Sequence, residues 1–89
     1  NNDLIRFVLF SFDAGQLLTE HASPKAVVVQ LLSGRMEFTV AGETSTLITG
    51  DVVYLAPGVR HALTAIEPCH MSLTMVDVDA TSTAQEGVR

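Results

Sequence analysis

The chain has few cysteines and few basic residues, and each shortage argues against a class of protein or partner. It has a single cysteine, Cys69, among 89 residues, which excludes an internal disulfide and indicates a reducing compartment, so we expect a cytoplasmic protein. It has five Lys and Arg against ten Asp and Glu, which gives a formal net charge of −5. The few cations are dispersed along the sequence. Because nucleic acids and anionic membranes bind clustered basic faces, we expect neither as a partner.

Long apolar runs and helical patterns are also missing. No apolar run approaches the roughly 20 residues that a membrane-spanning helix needs. No segment keeps a 3.6-residue apolar period long enough to predict a helix. The length of 89 residues predicts one domain, 1–89, with a loosely ordered polar tail at about 80–89.

Apolar residues are nevertheless abundant, at 47% of the chain. A domain of this size buries only roughly 60–65% of the surface of its unfolded chain, so part of that apolar surface needs another cover. The run from Val27 to Leu32 is apolar on both faces of a strand, and the run from Phe7 to Phe12 is also hydrophobic. We therefore expect a homodimer.

Short turns recur about every ten residues and separate eight runs with β-strand character. The clearest alternation sets Met36, Phe38 and Val40 against polar neighbours, and Met71, Leu73 and Met75 repeat it. Ser33 and Gly34 separate two runs as the loop of a two-residue hairpin would. The predicted strands are Ile5–Phe12, Gln16–His21, Ala26–Leu32, Arg35–Val40, Thr44–Ile48, Val52–Leu55, His61–Ile66 and Cys69–Val76. Eight short strands predict an all-β sandwich or closed barrel.

Two histidines stand next to the turns of this pattern. His21 ends one predicted strand, shortly before Ser23-Pro24, and His61 begins another, three residues after Pro57-Gly58. Two imidazoles about forty residues apart meet only if the sheet curls on itself. The spacing therefore makes His21 and His61 candidates for one shared site.

The glycines and histidines resemble the two motifs of the cupins, a superfamily of jelly-roll β-barrels. Gly15, His21 and Gly34 match the first motif, which runs Gly, five residues, His-x-His, three or four residues, Glu, six residues, Gly. The second motif runs Gly, five residues, Pro-x-Gly, two residues, His, three residues, Asn, and its matches are Gly50, Gly58 and His61. The resemblance implies a single-domain, cupin-type double-stranded β-helix.

The motifs are incomplete at their metal-binding positions. Cupins with complete motifs hold a divalent metal through three histidines and the glutamate, and here Ser23 and Val27 replace one histidine and the glutamate. Only His21 and His61 remain as metal ligands, for iron, manganese, nickel or zinc, whereas transition-metal sites usually take three or four protein donors. Glu20, the nearest acid, should point to the opposite face of its strand.

The other candidate residues are assigned from strand alternation or from their neighbours in the sequence. His70 alternates with Met71 and Leu73, so we expect it outside the barrel. Cys69 has no neighbours that would activate it, which favours a buried or rim thiol over a nucleophile. The inward apolar faces and the histidines predict a ligand pocket lined by His21, Ser23, Val27, Val29, Met36, Phe38, His61, Met71, Leu73 and Met75.

Three functions are compatible with these observations. The first is a small-molecule-binding cupin whose two histidines supply polarity. The second, which the resemblance implies, is a metal-dependent enzyme such as an oxygenase or isomerase. The third is an interaction module that serves mainly to dimerise. The sequence identifies no catalytic residue.

Overall fold

The chain folds into eight β-strands. A computed structural model describes residues 5–77; the polar tail expected at about 80–89 lies outside them. The strands are β1 (Ile5–Phe12), β2 (Leu17–His21), β3 (Ala26–Ser33), β4 (Arg35–Val40), β5 (Glu43–Ile48), β6 (Val52–Leu55), β7 (His61–Ala65) and β8 (Cys69–Val76). Each predicted run is a strand, and no boundary differs by more than one residue. Within residues 5–77, no helix is long and apolar enough to cross a bilayer.

The strands form two four-stranded antiparallel sheets. One sheet has the order β1-β8-β3-β6 and the other has the order β2-β7-β4-β5. Every strand therefore pairs with strands distant in sequence, apart from the neighbours β4 and β5. This is the predicted all-β jelly roll, in which the two sheets enclose one core.

The core lies between the inner faces of the sheets. β3 contributes Val27, Val29 and Leu31, and β4 contributes Met36 and Phe38, all at most 2% exposed. These residues follow the two-residue period of a strand, as the sequence predicted. Each such side chain contributes roughly 1.5–3 kcal/mol by leaving water, so the alternation holds the sheets together.

The connection at Ser33 and Gly34 corrects the hairpin prediction. β3 belongs to one sheet and β4 to the other, so the chain here turns a corner between layers instead of reversing within one. Gly34 has a φ of +93°, and a Cβ there would meet the carbonyl oxygen of Pro68 and lie 2.9 Å from Sγ of Cys69. Only glycine combines this backbone conformation with so close an approach.

Candidate functional site

His21 and His61 lie together at one end of the jelly roll, as the motif spacing predicted. β2 and β7 are antiparallel neighbours, and the Cα atoms of the two histidines are directly paired. Their ring centroids are 4.2 Å apart, with the ring planes at 63° to each other. The two imidazoles therefore form one edge-to-face pair, which we call the histidine pair.

A β-bulge in β2 produces this pairing. Leu18 pairs with Leu63, and the register then shifts so that His21 pairs with His61. The residue numbers of paired positions have a constant sum in a regular antiparallel ladder. Here the sum is 81 for Leu18 and Leu63 but 82 for His21 and His61, so β2 contains one extra residue. In an unbulged ladder Glu20 would be paired with His61, because each step along one antiparallel strand is matched by one step back along the other.

Glu20 instead lies on the exposed side of the bulge. Its Oε1 is 3.2 Å from Nη2 of Arg60, and both side chains are at least half exposed. The prediction that Glu20 points away from the histidines is consistent with this ion pair. An exposed pair of this kind contributes at most about 1 kcal/mol, so its effect is mainly to keep the carboxylate engaged outside.

Backbone carbonyls orient both rings in the same way. Nδ1 of His21 lies 2.9 Å from the carbonyl oxygen of Thr19, and Nδ1 of His61 lies 3.1 Å from that of Val59. A carbonyl can only accept, so each neutral ring carries its proton on Nδ1 and presents a lone pair at Nε2. The histidine pair thus offers two hydrogen-bond acceptors, or two metal ligands.

The two rings differ in burial. His61 is only 6% exposed and stacks on Phe38, with ring centroids 6.2 Å apart and planes within 9°, whereas His21 is exposed. Loss of solvent lowers the pKa of His61; the Val59 carbonyl opposes this, and the positive charge of a protonated His21 adds to the lowering. His61 is therefore held neutral at the inner edge of the site, and His21 faces the solvent.

The remaining predicted pocket residues fall into three groups. Ser23 is half-buried near the histidines, where its Oγ accepts a hydrogen bond from the backbone N–H of Lys25 at 3.1 Å. Leu73 and Met75 are half-buried beside the core. Fully buried within the core are Val27, Val29, Met36, Phe38 and Met71. Their contact with a ligand stays a prediction.

Two valines near the histidine pair were missing from the predicted pocket. Val40 pairs with His61 across β4 and β7, and Val59 supplies the carbonyl that orients His61; both side chains pack against the core. Val40 shares the parity of Met36 and Phe38, so alternation alone could have added it. The role of the Val59 carbonyl had no signal in the sequence, because any residue there supplies the same group.

The loop before β7 places His61 beside the chain that follows His21. Gly58 has a φ of +83°, and its N–H donates to the carbonyl oxygen of Ser23 at 2.8 Å. This bond ties the loop between β6 and β7 to the loop between β2 and β3. Both histidines therefore extend from one cross-linked pair of loops.

A tightly held metal does not fit the donors that are present. Among residues 5–77, no group of three or more His, Cys, Asp and Glu side chains is placed to hold an ion. The motif's glutamate position is Val27, which is 2% exposed and part of the core. Two imidazoles without a carboxylate fall short of the usual three or four protein ligands.

His70 and Cys69 lie where the sequence predicted them. His70 is exposed, and its Nδ1 is 2.9 Å from Oγ of Ser33. Cys69 is 1% exposed, and its thiol donates to the carbonyl oxygens of Arg35 and Glu67, both at 3.0 Å. A buried thiol engaged in this way serves packing at the Gly34 corner, as expected.

Comparisons with known proteins agree with this architecture. A comparison with curated proteins found no match. Among solved structures, a conserved protein of unknown function from Streptococcus pyogenes is 34% identical, with a TM-score of 0.80 over 86% of this chain and 68% of that one. An RmlC-like cupin from Shewanella frigidimarina is 24% identical, with a TM-score of 0.83 over 85% of this chain and 68% of that one.

An enzyme also contains this fold. Salicylate 1,2-dioxygenase from Pseudoaminobacter salicylatoxidans is 20% identical, with a TM-score of 0.80 over 92% of this chain but 22% of that one. At this identity the likeness concerns the fold alone. The family model described as "Cupin domain" matches residues 8–78. With that match over most of its length, and with the jelly roll and the paired motif histidines in place, the chain belongs to the cupin family.

Proposed function

We propose that this cupin binds a small molecule at the mouth of its barrel, beside His21 and His61, and that it does so without a resident metal. The observation that carries the proposal is the histidine pair itself. Two imidazoles 4.2 Å apart, one buried and one exposed, are fixed by separate backbone carbonyls. A pair oriented in this way is a preformed polar contact at the edge of an apolar interior.

The depth of burial locates the ligand near the mouth. Leu31 and Met36 are 0% exposed, so they contact other side chains and not a hollow that water can enter. Val40, which pairs with His61, and Val59, whose carbonyl orients His61, are by contrast only half-buried. A ligand at the histidine pair would therefore rest on these partly exposed residues and would leave the packed end of the core undisturbed.

The protonation state of the rings defines the chemistry of the ligand. Both Nδ1 atoms donate to the backbone, which leaves Nε2 of each neutral ring as an acceptor. Burial lowers the pKa of His61, which keeps that ring neutral near pH 7. The ligand should therefore carry a hydroxyl or N–H donor next to an apolar body.

The test uses a set of ring compounds, some of which carry one hydrogen-bond donor and some of which carry none. Phenol and its methyl ether, anisole, are the matched pair in this set. We expect phenol to shift the Hε1 resonances of His21 and His61 in the NMR spectrum. One lost hydrogen bond costs about 1 kcal/mol, so anisole should bind roughly fivefold more weakly. His21→Ala and His61→Ala should remove this preference, whereas His70→Ala, outside the site, should keep it.

Acid should weaken the same binding. A protonated imidazole has no lone pair at Nε2, so the affinity for phenol should fall between about pH 7 and pH 5. The proposal fails if no donor-bearing compound shifts His21 or His61 at millimolar concentration. It also fails if phenol shifts the Hε1 resonance of His21 by the same amount in His61→Ala as in the wild type.

The metal-dependent enzyme is the second candidate, because cupins often bind metals and the salicylate 1,2-dioxygenase shares this fold. The two Nε2 lone pairs are the groups that would hold the ion, and a bound substrate would have to complete its ligands. Metal analysis of the purified, untagged protein separates the two candidates. Stoichiometric iron, nickel, manganese or zinc that is lost in both His21→Ala and His61→Ala would replace the first proposal with the second.

A further inference from the structure

Two rows of side chains, one from each sheet, line the inside of the barrel at the end that carries the histidine pair. In the β1-β8-β3-β6 sheet, the strand register joins Arg6, Met75, Val27 and Leu55 in one row. In the other sheet it joins His21, His61, Val40 and Glu43. Directly paired residues project from the same face of a sheet, and Val27, Leu55 and His61 are buried. Both rows therefore belong to inner faces, and we call them the two mouth rows.

Short connections at the opposite end of the barrel show which members of the two mouth rows face each other. There, links of at most four residues join β1 to β2, β3 to β4, β5 to β6 and β7 to β8. Each link joins strands of different sheets, so the two strands that it joins lie over one another. β1 therefore lies over β2 and β8 lies over β7, which sets Arg6 opposite His21 and Met75 opposite His61.

Arg6 thus lies across the mouth of the barrel from the histidine pair. Stacked sheets pack about 10 Å apart, and the long stem and guanidinium of an arginine extend across much of such a gap. β1 is an edge strand, and the side chain of Arg6 is exposed there. The guanidinium is therefore accessible from solvent and can approach a ligand that binds beside His21.

The guanidinium of Arg6 has no acidic partner among residues 5–77. Two other arginines do form ion pairs: Arg35 lies 3.7 Å from Glu67, and Arg60 lies 3.2 Å from Glu20. Both of these pairs are exposed outside the barrel. A guanidinium presents a planar fork of N–H donors that fits a carboxylate, so Arg6 is the arginine that can take up an external anion at the mouth.

Two acids lie at the same end of the barrel, and neither cancels the charge of Arg6. Glu43 is on the edge strand β5, three strands from His21, which is roughly 14 Å at about 4.8 Å for each strand. Asp77 and Lys25 come directly after the last residue pair of the β3–β8 ladder, at one level on neighbouring strands. Their opposite charges compensate each other. Arg6 therefore remains as the positive charge beside the histidine pair.

We infer that the ligand of this site is a small organic acid whose carboxylate binds Arg6. The inference rests on the proposed function, because it names the class of ligand for the same site. The apolar body of the acid lies on Met75 and Val40, and its hydroxyl or N–H group donates to the histidine pair. A carboxylate at the β5 edge would be repelled by Glu43, and this repulsion fixes the direction in which the acid lies.

The test compares para-hydroxyphenylacetate, which is ionised near pH 7, with its neutral amide, para-hydroxyphenylacetamide. NMR titrations of the full chain follow the Hε1 resonances of His21 and His61. The matched variants are Arg6→Gln and Arg35→Gln, because each removes one guanidinium, and Arg35 lies at the other end of the barrel. We expect the wild type and Arg35→Gln to bind the acid roughly fivefold more tightly than the amide. Arg6→Gln should bind both compounds equally.

The outcomes separate this inference from the proposed function. Equal binding of the acid and the amide by the wild type, with both compounds shifting the histidine resonances, would overturn the inference and leave the proposed function in place. The absence of a shift with either compound would overturn both. A preference for the acid that Arg6→Gln keeps, or that Arg35→Gln loses to the same extent, would also overturn the inference, because the net charge and not Arg6 would then be its cause. Circular dichroism checks the fold of both variants.

Discussion

Substitution of Gly34 by alanine should destabilise the protein by two separable effects. A φ of +93° costs a non-glycine residue about 1 kcal/mol or more. The added Cβ would also meet the carbonyl oxygen of Pro68 and would lie 2.9 Å from Sγ of Cys69, and overpacking of this kind costs about 1–3 kcal/mol. The sum is about 2–4 kcal/mol. At about 4–8 °C for each kcal/mol in a domain of this size, the melting temperature should fall by roughly 10–30 °C.

Gly58→Ala is the control for the steric effect. Gly58 has a similar φ of +83°, but a Cβ there would meet nothing within 4 Å. Only the backbone strain of about 1 kcal/mol remains, so the melting temperature should fall by roughly 4–8 °C. Scanning calorimetry of both variants measures the difference. Equal losses would show that Gly34 is required for its backbone conformation alone and that the close approach to Pro68 can relax at no cost.

Three further predictions concern the histidine pair. His21→Ala should raise the pKa of His61, because it removes the repulsion from a protonated His21; an NMR titration that gives the same or a lower pKa would contradict the assigned cause. The pKa of His61 in the folded protein lies below its ordinary value of 6.5, so the unfolded chain takes up the proton at a higher pH than the folded protein does. The free energy of unfolding should therefore decrease as the pH falls below about 6.5, and it should level off below the pKa of the folded protein. Denaturant titrations should show a smaller decrease for His61→Gln than for the wild type. Gly58→Val should destabilise the protein more than Gly58→Ala, since a β-branched residue tolerates a positive φ poorly, and should move the Hε1 resonance of His61; unchanged melting and resonance would refute the role of this corner.

The sequence predicted the strands well because their signals are local. Arg35–Val40 has alternating parity and is bounded by Gly34 and Gly42, so both its ends and its inward face could be assigned. The connections between strands were harder. Ser33-Gly34 has the length of a hairpin loop, but its direction depends on the packing of Pro68 and Cys69, which are more than thirty residues away. Contacts at that separation leave no mark in the local pattern.

The site was predicted in part for the same reason. Motif spacing brought His21 and His61 together, and the structure confirms that they meet. The means by which they meet could not be foreseen, since a bulge changes the parity of β2 between Leu18 and His21 without any glycine or proline to mark it. The carbonyls that orient the rings carry no side-chain signal either. Sequence patterns thus identified the two histidines, and the register between β2 and β7 determined how their rings are arranged.

The extra residue in β2 gives this strand an unusual sensitivity to length. Loss of one amino acid between Leu18 and His21 would restore the regular ladder and leave His21 opposite His61. Gain of one amino acid between Leu18 and Glu20, with the bulge kept, would instead bring the carboxylate of Glu20 to the place opposite His61. The barrel would keep its strands, but its entrance would exchange a nitrogen acceptor for an anionic oxygen, which is the kind of ligand that hard divalent cations favour. A single codon insertion could therefore change the chemistry of this protein more than most point substitutions at the same positions.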